Sequence, residues 1–166
     1  MRISKILASG VVICIAVTQP LHSNENTVVQ LNATYTPSQN IRGGAGLIQT
    51  PTARMSPEGT FTLNYNDINE YRFWSASLQL FPWMESTVRY TDVRTRLYSP
   101  FEGFSGDQTL KDKGIDAKFR LLQESYYLPE LSLGFLDIGG TGLFASEYLT
   151  ASKRWGPVDF HLGIGT

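Results

Sequence analysis

The chain has 166 residues, enough for one domain with its own core, and its formal net charge is −1. With no basic stripe along the sequence, this charge argues against a nucleic-acid partner. The composition includes 15 Gly, 9 Phe, 8 Tyr and 3 Trp, which is typical of β proteins with many tight turns.

The N-terminus carries the pattern of an export signal. Two basic residues precede an apolar run at residues 6–17, which is too short to span a membrane as a helix. We predict a signal peptide at residues 1–23. The single cysteine, Cys14, lies inside the apolar run after Ile13, a poor fit to a lipoprotein acylation site. We therefore expect Cys14 to be removed with the signal, which leaves no disulfide and no cysteine metal site.

Residues 24–42 are polar and without periodicity, and we interpret them as a flexible leader. A glycine cluster opens the next stretch, residues 43–55. Because no strand precedes the glycines and no Lys-Ser/Thr pair follows them, a phosphate-binding loop is disfavoured. We predict instead a short strand that ends at Pro51, with glycines where backbones crowd, and then a turn at residues 57–59.

From residue 60 onward, apolar and polar residues alternate with the period of two that β-strands impose. The clearest case is the stretch at 114–123, where Asp116, Lys118 and Arg120 all fall on one side. The predicted strands are residues 60–66, 72–81, 85–93, 114–123, 130–138, 146–154 and 159–166. We predict no helix between them and a long loop at residues 94–113. The predicted fold is all-β, an antiparallel up-and-down meander.

Three features favour part of an outer-membrane β-barrel over a soluble sandwich. Consecutive charges on one strand face indicate a wet, enclosed interior, and short turns alternate with a long connection. The short turns also carry aromatic residues, which we predict to form an interfacial girdle. This predicted girdle consists of Trp83, Tyr126, Tyr127 and Trp155. The alternative is that they are ordinary core or turn aromatics.

If the apolar side of each strand faces lipid, a set of charged residues faces inward or lies near the rims. This predicted lumen-lining set consists of Arg89, Asp116, Lys118, Arg120, Lys153, Asp159 and His161. Such residues could hydrogen-bond a polysaccharide in passage. They could equally form salt bridges across the lumen that only stabilise the barrel.

Motifs for catalysis and metal binding are absent from the sequence. The two histidines, His22 and His161, are too isolated to build a metal site, and no nucleophile elbow is present. A carboxylate pair for glycoside hydrolysis requires a geometry that sequence does not show, and solvated turn charges are the simpler explanation. We therefore expect no enzymatic activity, no metal and no cofactor.

Two stretches carry a family resemblance: GGAGLIQTPTARM at residues 43–55 and RYTDVRTR at 89–96. With parts of residues 75–160, they resemble the YjbH family of outer-membrane proteins associated with exopolysaccharide or capsule production. The resemblance implies an outer-membrane β-barrel. It also implies that residues 43–166 are the N-terminal part of a longer barrel domain, because family members are several times longer.

The function that this resemblance implies is support of exopolysaccharide or capsule export, in which a charged lumen guides a polar polymer. The alternative is a periplasmic or surface β scaffold that conducts nothing. Expected partners are outer-membrane lipid, the exopolysaccharide and other exopolysaccharide-assembly proteins, with no nucleic acid.

Overall fold

A computed structural model describes residues 36–166, so the predicted signal peptide, Cys14 and most of the predicted leader lie outside the described residues. The strands are β1 (Gly46–Leu47), β2 (Thr50–Pro51), β3 (Phe61–Asp67), β4 (Tyr71–Phe81), β5 (Met84–Leu97), β6 (Thr109–Leu122), β7 (Glu130–Leu136), β8 (Ser146–Trp155) and β9 (Val158–Gly165). A short helix, α1 (Glu102–Ser105), lies between β5 and β6. No helix among residues 36–166 has the length and apolar character needed to span a membrane.

Strands β3 to β9 form one seven-stranded antiparallel sheet in chain order, a half-barrel, and β1 pairs with β2 separately. The all-β antiparallel meander predicted from the alternation is thus confirmed. The connections at 82–83, 123–129 and 156–157 meet at one end of the sheet, which we call the short-turn end. Those at 68–70, 98–108 and 137–145 meet at the opposite, long-loop end.

Nine of the 20 residues of the predicted loop at 94–113 are strand. β5 continues to Leu97 and β6 begins at Thr109, so a shorter connection that contains α1 remains, and the expectation of no helix was wrong. The prediction failed because charged residues here pair across the two strands. Asp92 lies in register with Lys111, and their side chains form an ion pair of 2.5 Å.

The sheet has two chemically distinct faces because successive side chains point to opposite sides. We call the polar face the one that carries Ser77, Thr87, Lys118 and Ser132, all of which are buried. The opposite, apolar face carries large exposed side chains. They include Phe61, Leu63, Leu78, Val88, Ile115, Leu121, Leu149, Leu162 and Ile164. This is the reverse of a soluble protein, which buries its apolar face.

Residues 37–56, the covering segment, lie against the polar face and include β1 and β2. Its first part overlaps the predicted flexible leader, yet Asn64 Nδ2 donates to the Asn40 carbonyl at 2.7 Å. Asn66 Nδ2 donates to the carbonyl of Ile41 at 2.9 Å. Asn40 and Ile41 are therefore packed on β3, because amide side chains of the sheet satisfy their backbone carbonyls.

A close approach between β7 and β8 gives a first prediction. Gly134 is in register with Tyr148, and an added Cβ would lie 2.0 Å from Tyr148 Cζ. We expect Gly134→Ala to displace the ring and lower the free energy of unfolding by about 1–3 kcal/mol. Urea unfolding followed by tryptophan fluorescence would measure the loss.

The matched control for this prediction is Gly103→Ala, where an added Cβ meets nothing within 4 Å. Adding Tyr148→Ser to the Gly134→Ala protein removes the clash and should recover part of the loss. An equal cost of Gly134→Ala with Tyr148 present or truncated would contradict the steric explanation.

Candidate functional site

The first half of the covering segment contacts the polar face through its backbone. Gly44 N donates to Ser77 Oγ at 2.9 Å, and Ala45 N donates to Glu85 Oε1 at 2.9 Å. At Gly43, whose φ is +96°, an added Cβ would lie 2.4 Å from Ser75 Oγ. Glycine is therefore required where the segment approaches the Ser75 side chain of β4. Backbones crowd, as predicted, at Gly46, where an added Cβ would lie 2.6 Å from the Thr50 carbonyl oxygen.

The second half of the segment is fixed by side chains from β6, β7 and β8. Ser132 Oγ donates to the Ala53 carbonyl at 2.9 Å, and Ala53 N donates to Ser152 Oγ at 3.0 Å. Lys118 Nζ donates to the carbonyls of Ala45 at 3.1 Å and Arg54 at 2.9 Å. One lysine thus joins both halves of the segment to the centre of the sheet.

Arg54 is the most highly connected side chain of the segment. Its guanidinium contacts Glu124 at 2.5 Å, Glu130 at 2.9 Å and Asp159 at 2.6 Å, and we call these four residues the Arg54 cluster. Burial alone would lower the pKa of Arg54, but hydrogen bonds and charge attraction from Asp159 and Glu124 raise it. Arg54 therefore remains charged and fixes the segment near the short-turn end of the sheet.

A second group of charges lies nearer the long-loop end. Arg89, whose side chain is 0 % exposed, lies 3.3 Å from Asp116 through Nη1. Its guanidinium and that of Arg42 lie over the Phe144 ring, at 5.2 and 5.5 Å from the centroid. Burial and the neighbouring Arg89 lower the pKa of Arg42. The Phe144 ring and the Asp116 carboxylate thus offset only part of the repulsion between the two cations.

A small cavity remains between the covering segment and the sheet. It has a volume of about 40 Å³ and is bordered by Arg42, Glu85, Asp116, Lys118 and Tyr148. A space of this size takes a water-sized molecule, whereas ligand pockets typically measure about 300–1,000 Å³. The polar face is therefore occupied by the chain itself in this conformation.

The structure brings most of the predicted lumen-lining residues to the polar face. These are Arg89, Asp116, Lys118, Arg120, Asp159 and His161. Lys153 is the exception, since it is in register with Phe160 on the apolar side. Its Nζ donates to the Tyr126 carbonyl at 3.0 Å in the 123–129 turn. Lys153 consequently lies at the short-turn rim.

The four predicted girdle residues meet at the short-turn end, where all are exposed: Trp83, Tyr126, Tyr127 and Trp155. The sequence analysis missed several charged residues of the polar face. These are Arg42, Arg54, Glu85 and Glu130. Glu85 could have been found, because it continues the alternation of Thr87 and Arg89. Arg42 and Arg54 lie outside the long strands, so periodicity carries no signal for them.

Within residues 36–166, no group of three or more His, Cys, Asp or Glu side chains is placed to hold a metal ion. What the polar face does offer is hydroxyl, carboxylate and cationic groups along several strands. Hydroxyls and charges of both signs can hydrogen-bond a polar ligand over an extended surface.

Comparison with known proteins shows the family. The model of the YjbH family, described as exopolysaccharide biosynthesis protein YbjH, matches residues 38–166. The chain belongs to the YjbH family. This confirms the resemblance identified from the sequence.

A relative from Escherichia coli K12, named uncharacterized lipoprotein YjbH, is 65% identical over 129 residues. The aligned region covers 78% of this chain and 18% of that relative. The chain thus spans less than a fifth of the length of the YjbH protein that it matches. No solved structure matches it.

A second prediction concerns the buried Lys118, which pairs with Glu85 at 3.3 Å and donates to two backbone carbonyls. Lys118→Met leaves the Glu85 carboxylate buried without its cation, so we expect a loss of about 3–5 kcal/mol in the free energy of unfolding. The matched control is Lys113→Met on the same strand, where the side chain is exposed and the change should stay within about 0.5 kcal/mol. Equal effects in urea unfolding would contradict this assignment.

A third prediction uses Glu124. Burial alone would raise the pKa of the Glu124 carboxyl, but the Arg154 backbone N–H and the Arg54 guanidinium hold it below its ordinary value of 4.5. The stabilisation is therefore complete above pH 4.5 and is lost as the pH falls through the lowered pKa. Urea unfolding across the acid range should show Glu124→Gln less stable than the wild type near neutrality, with the difference shrinking in acid. A difference independent of pH would contradict the pairing.

Proposed function

We propose that this chain is part of an outer-membrane β-barrel that supports exopolysaccharide or capsule export by guiding a polar polymer along the polar face. The observation that carries the proposal is the inverted polarity of the sheet. Its buried face holds Arg89, Asp116 and Lys118, and its exposed face holds large apolar residues such as Val88 and Ile115. In a membrane barrel the apolar face contacts lipid and the polar face lines the interior.

Strand length and aromatic placement also support a membrane position. Of the seven strands in the sheet, β4 with 11 residues and β8 with 10 fall in the range of about 9–11 that a tilted transmembrane strand needs, and β5 and β6 with 14 each exceed it. Trp83 and Trp155 lie at the short-turn end, and Trp74 packs between Tyr65 and Tyr90 toward the other end, with each ring pair 5.6 Å apart. Aromatic residues toward both ends of an apolar band match the two girdles of membrane barrels.

Closure of the barrel would require further strands. β3 and β9 each pair on one side only in the described part of the chain. An open sheet edge in lipid leaves backbone groups unpaired at a cost of several kcal/mol each. We propose that strands outside residues 36–166, or those of other exopolysaccharide-assembly proteins, complete the barrel.

The family description supports an exopolysaccharide as the polymer, and the name of the E. coli relative supports export to a membrane. The YjbH family is described as exopolysaccharide biosynthesis proteins, and the E. coli relative is called a lipoprotein. We infer that this chain is likewise exported and associated with a membrane. The role that we assign to it is non-enzymatic: to hold and guide the polymer.

A second candidate function is a non-conducting scaffold of the export machinery. Two observations favour it: the covering segment at 37–56 occupies the polar face, and the relative is named a lipoprotein. In that case the apolar face would contact partner proteins or the surface of a membrane. The two candidates differ in what surrounds the middle of the apolar face.

The fourth prediction separates them at Val88, which is 58% exposed and lies between Ala76 and Ile115 on the neighbouring strands. In lipid, Val88→Arg should cost about 2–4 kcal/mol and reduce the amount of folded full-length protein in outer membranes. In a scaffold whose apolar face meets partner proteins or only the surface of a membrane, an arginine at this position is not held in hydrocarbon and should cost about 0–1 kcal/mol.

Folded protein would be measured in isolated outer membranes by the difference in gel mobility with and without boiling. Val88→Leu is the matched control and should behave as the wild type. A wild-type protein that is soluble in the periplasm and shows no mobility shift would overturn the barrel proposal. A normal yield of Val88→Arg would favour the scaffold.

A further inference from the structure

The covering segment is held mainly by polar contacts. Its buried hydrophobic side chains are two alanines and one methionine: Ala45, Ala53 and Met55. The contacts that fix it run from its backbone to hydroxyl, carboxylate and ammonium groups of the sheet. Because each such hydrogen bond can be exchanged for a bond to water or to another polar ligand, its net contribution is only about 0.5–1.5 kcal/mol.

The sheet retains partners for its charges when the segment is removed. Glu130 also pairs with Arg120 at 2.7 Å, and Glu124 also pairs with Lys153 at 3.3 Å. At the centre of the face, Lys118 keeps its ion pair with a carboxylate of β5. Departure of Arg54 therefore leaves these carboxylates paired within the sheet and its turns.

The groups uncovered by such a departure suit a carbohydrate. Ser132 and Ser152 would lose the backbone partners that they have in Ala53, and Ser77 would lose that in Gly44. Ser132 and Ser152 lie on the adjacent strands β7 and β8, and Ser77 lies on β4, with the charged residues of β5 and β6 between them. A hydroxyl-rich polymer presents donors and acceptors of the same kind as the peptide backbone that it would replace.

We propose that the covering segment is a displaceable plug, latched by Arg54, which occupies the polymer path and must leave the polar face for polymer to pass. This inference rests on the proposed function and adds its regulation. The family relationship assigns no such role to residues 37–56. The plug lies on the path because it covers the centre of the polar face, and Arg54 is its latch because it makes three ion pairs with the sheet and its turns.

The fifth prediction tests displacement directly. Ser132 is 0% exposed beneath the plug, so a cysteine at this position should react slowly with a water-soluble thiol reagent. We expect Arg54→Gln to increase the labelling rate of Ser132→Cys by about tenfold, the factor that corresponds to about 1.4 kcal/mol. The measurement uses the full-length protein in outer membranes, with other accessible cysteines replaced.

The matched control is Arg72→Gln, which removes an arginine that pairs with Asp67 away from the plug. It should leave the labelling rate of Ser132→Cys unchanged. Equal rates in the wild type, Arg54→Gln and Arg72→Gln backgrounds would overturn the latch. Absence of the wild-type protein from outer membranes would contradict the barrel, whereas equal labelling rates contradict the latch, so failure of the proposed function and failure of the plug are distinguishable.

A second variant addresses the case in which Arg54→Gln does not fold. Ala53→Cys combined with Ser152→Cys places two thiols where Ala53 N and Ser152 Oγ are 3.0 Å apart. Oxidation forms one disulfide with loss of two protons and two electrons to an added oxidant such as diamide, and dithiothreitol reverses it. We expect the cross-link to stop exopolysaccharide secretion and reduction to restore it. Normal secretion by the cross-linked protein would overturn the proposal.

Discussion

A buried charge persists in a folded protein only where another charge or several hydrogen bonds replace the water that it has lost. In this sheet the replacement comes from neighbouring strands in register, as where Glu85 opposes Lys118 and Thr87 opposes Asp116. A slip of one residue would bring the apolar side chains of β6 to the polar face and expose its charges on the other side. The cross-strand pairs therefore help to define the register of the half-barrel.

The same charges also determine where the covering segment lies. Glu85 accepts from the backbone of Ala45 while it pairs with Lys118, and Lys118 donates to carbonyls at both ends of the β1–β2 hairpin. Because few apolar side chains are buried, stability depends on how completely these polar groups satisfy one another. Loss of a single charge on the polar face should consequently lower the stability of the fold. The exposed side chains of the apolar face contribute little to that stability, because the chain itself does not bury them.

Alternation predicted the strands and the faces of their residues wherever one side was clearly apolar, as in β6. It could not assign a face to Lys153, which was expected inward or near the rims, because Ser152, Lys153 and Arg154 are all polar and the pattern contains no contrast between the faces. It also failed between β5 and β6, where charged residues that pair across strands resembled a solvated loop. Alternation could not predict the position of Arg54, because a side chain outside the long strands is placed by tertiary packing.

The balance of charge on the polar face bears on how a polymer would move along it. Cations such as Arg89 and Arg120 alternate with carboxylates such as Asp116 and Glu130, and each is compensated locally. A face with net charge of one sign would hold an oppositely charged polymer tightly, whereas conduction requires binding that is weak at each of many sites. Locally neutral pairs separated by hydroxyls offer frequent hydrogen bonds without a deep electrostatic well. Under the proposed function, the pairing that stabilises the fold would thus also keep the polymer path from trapping its cargo.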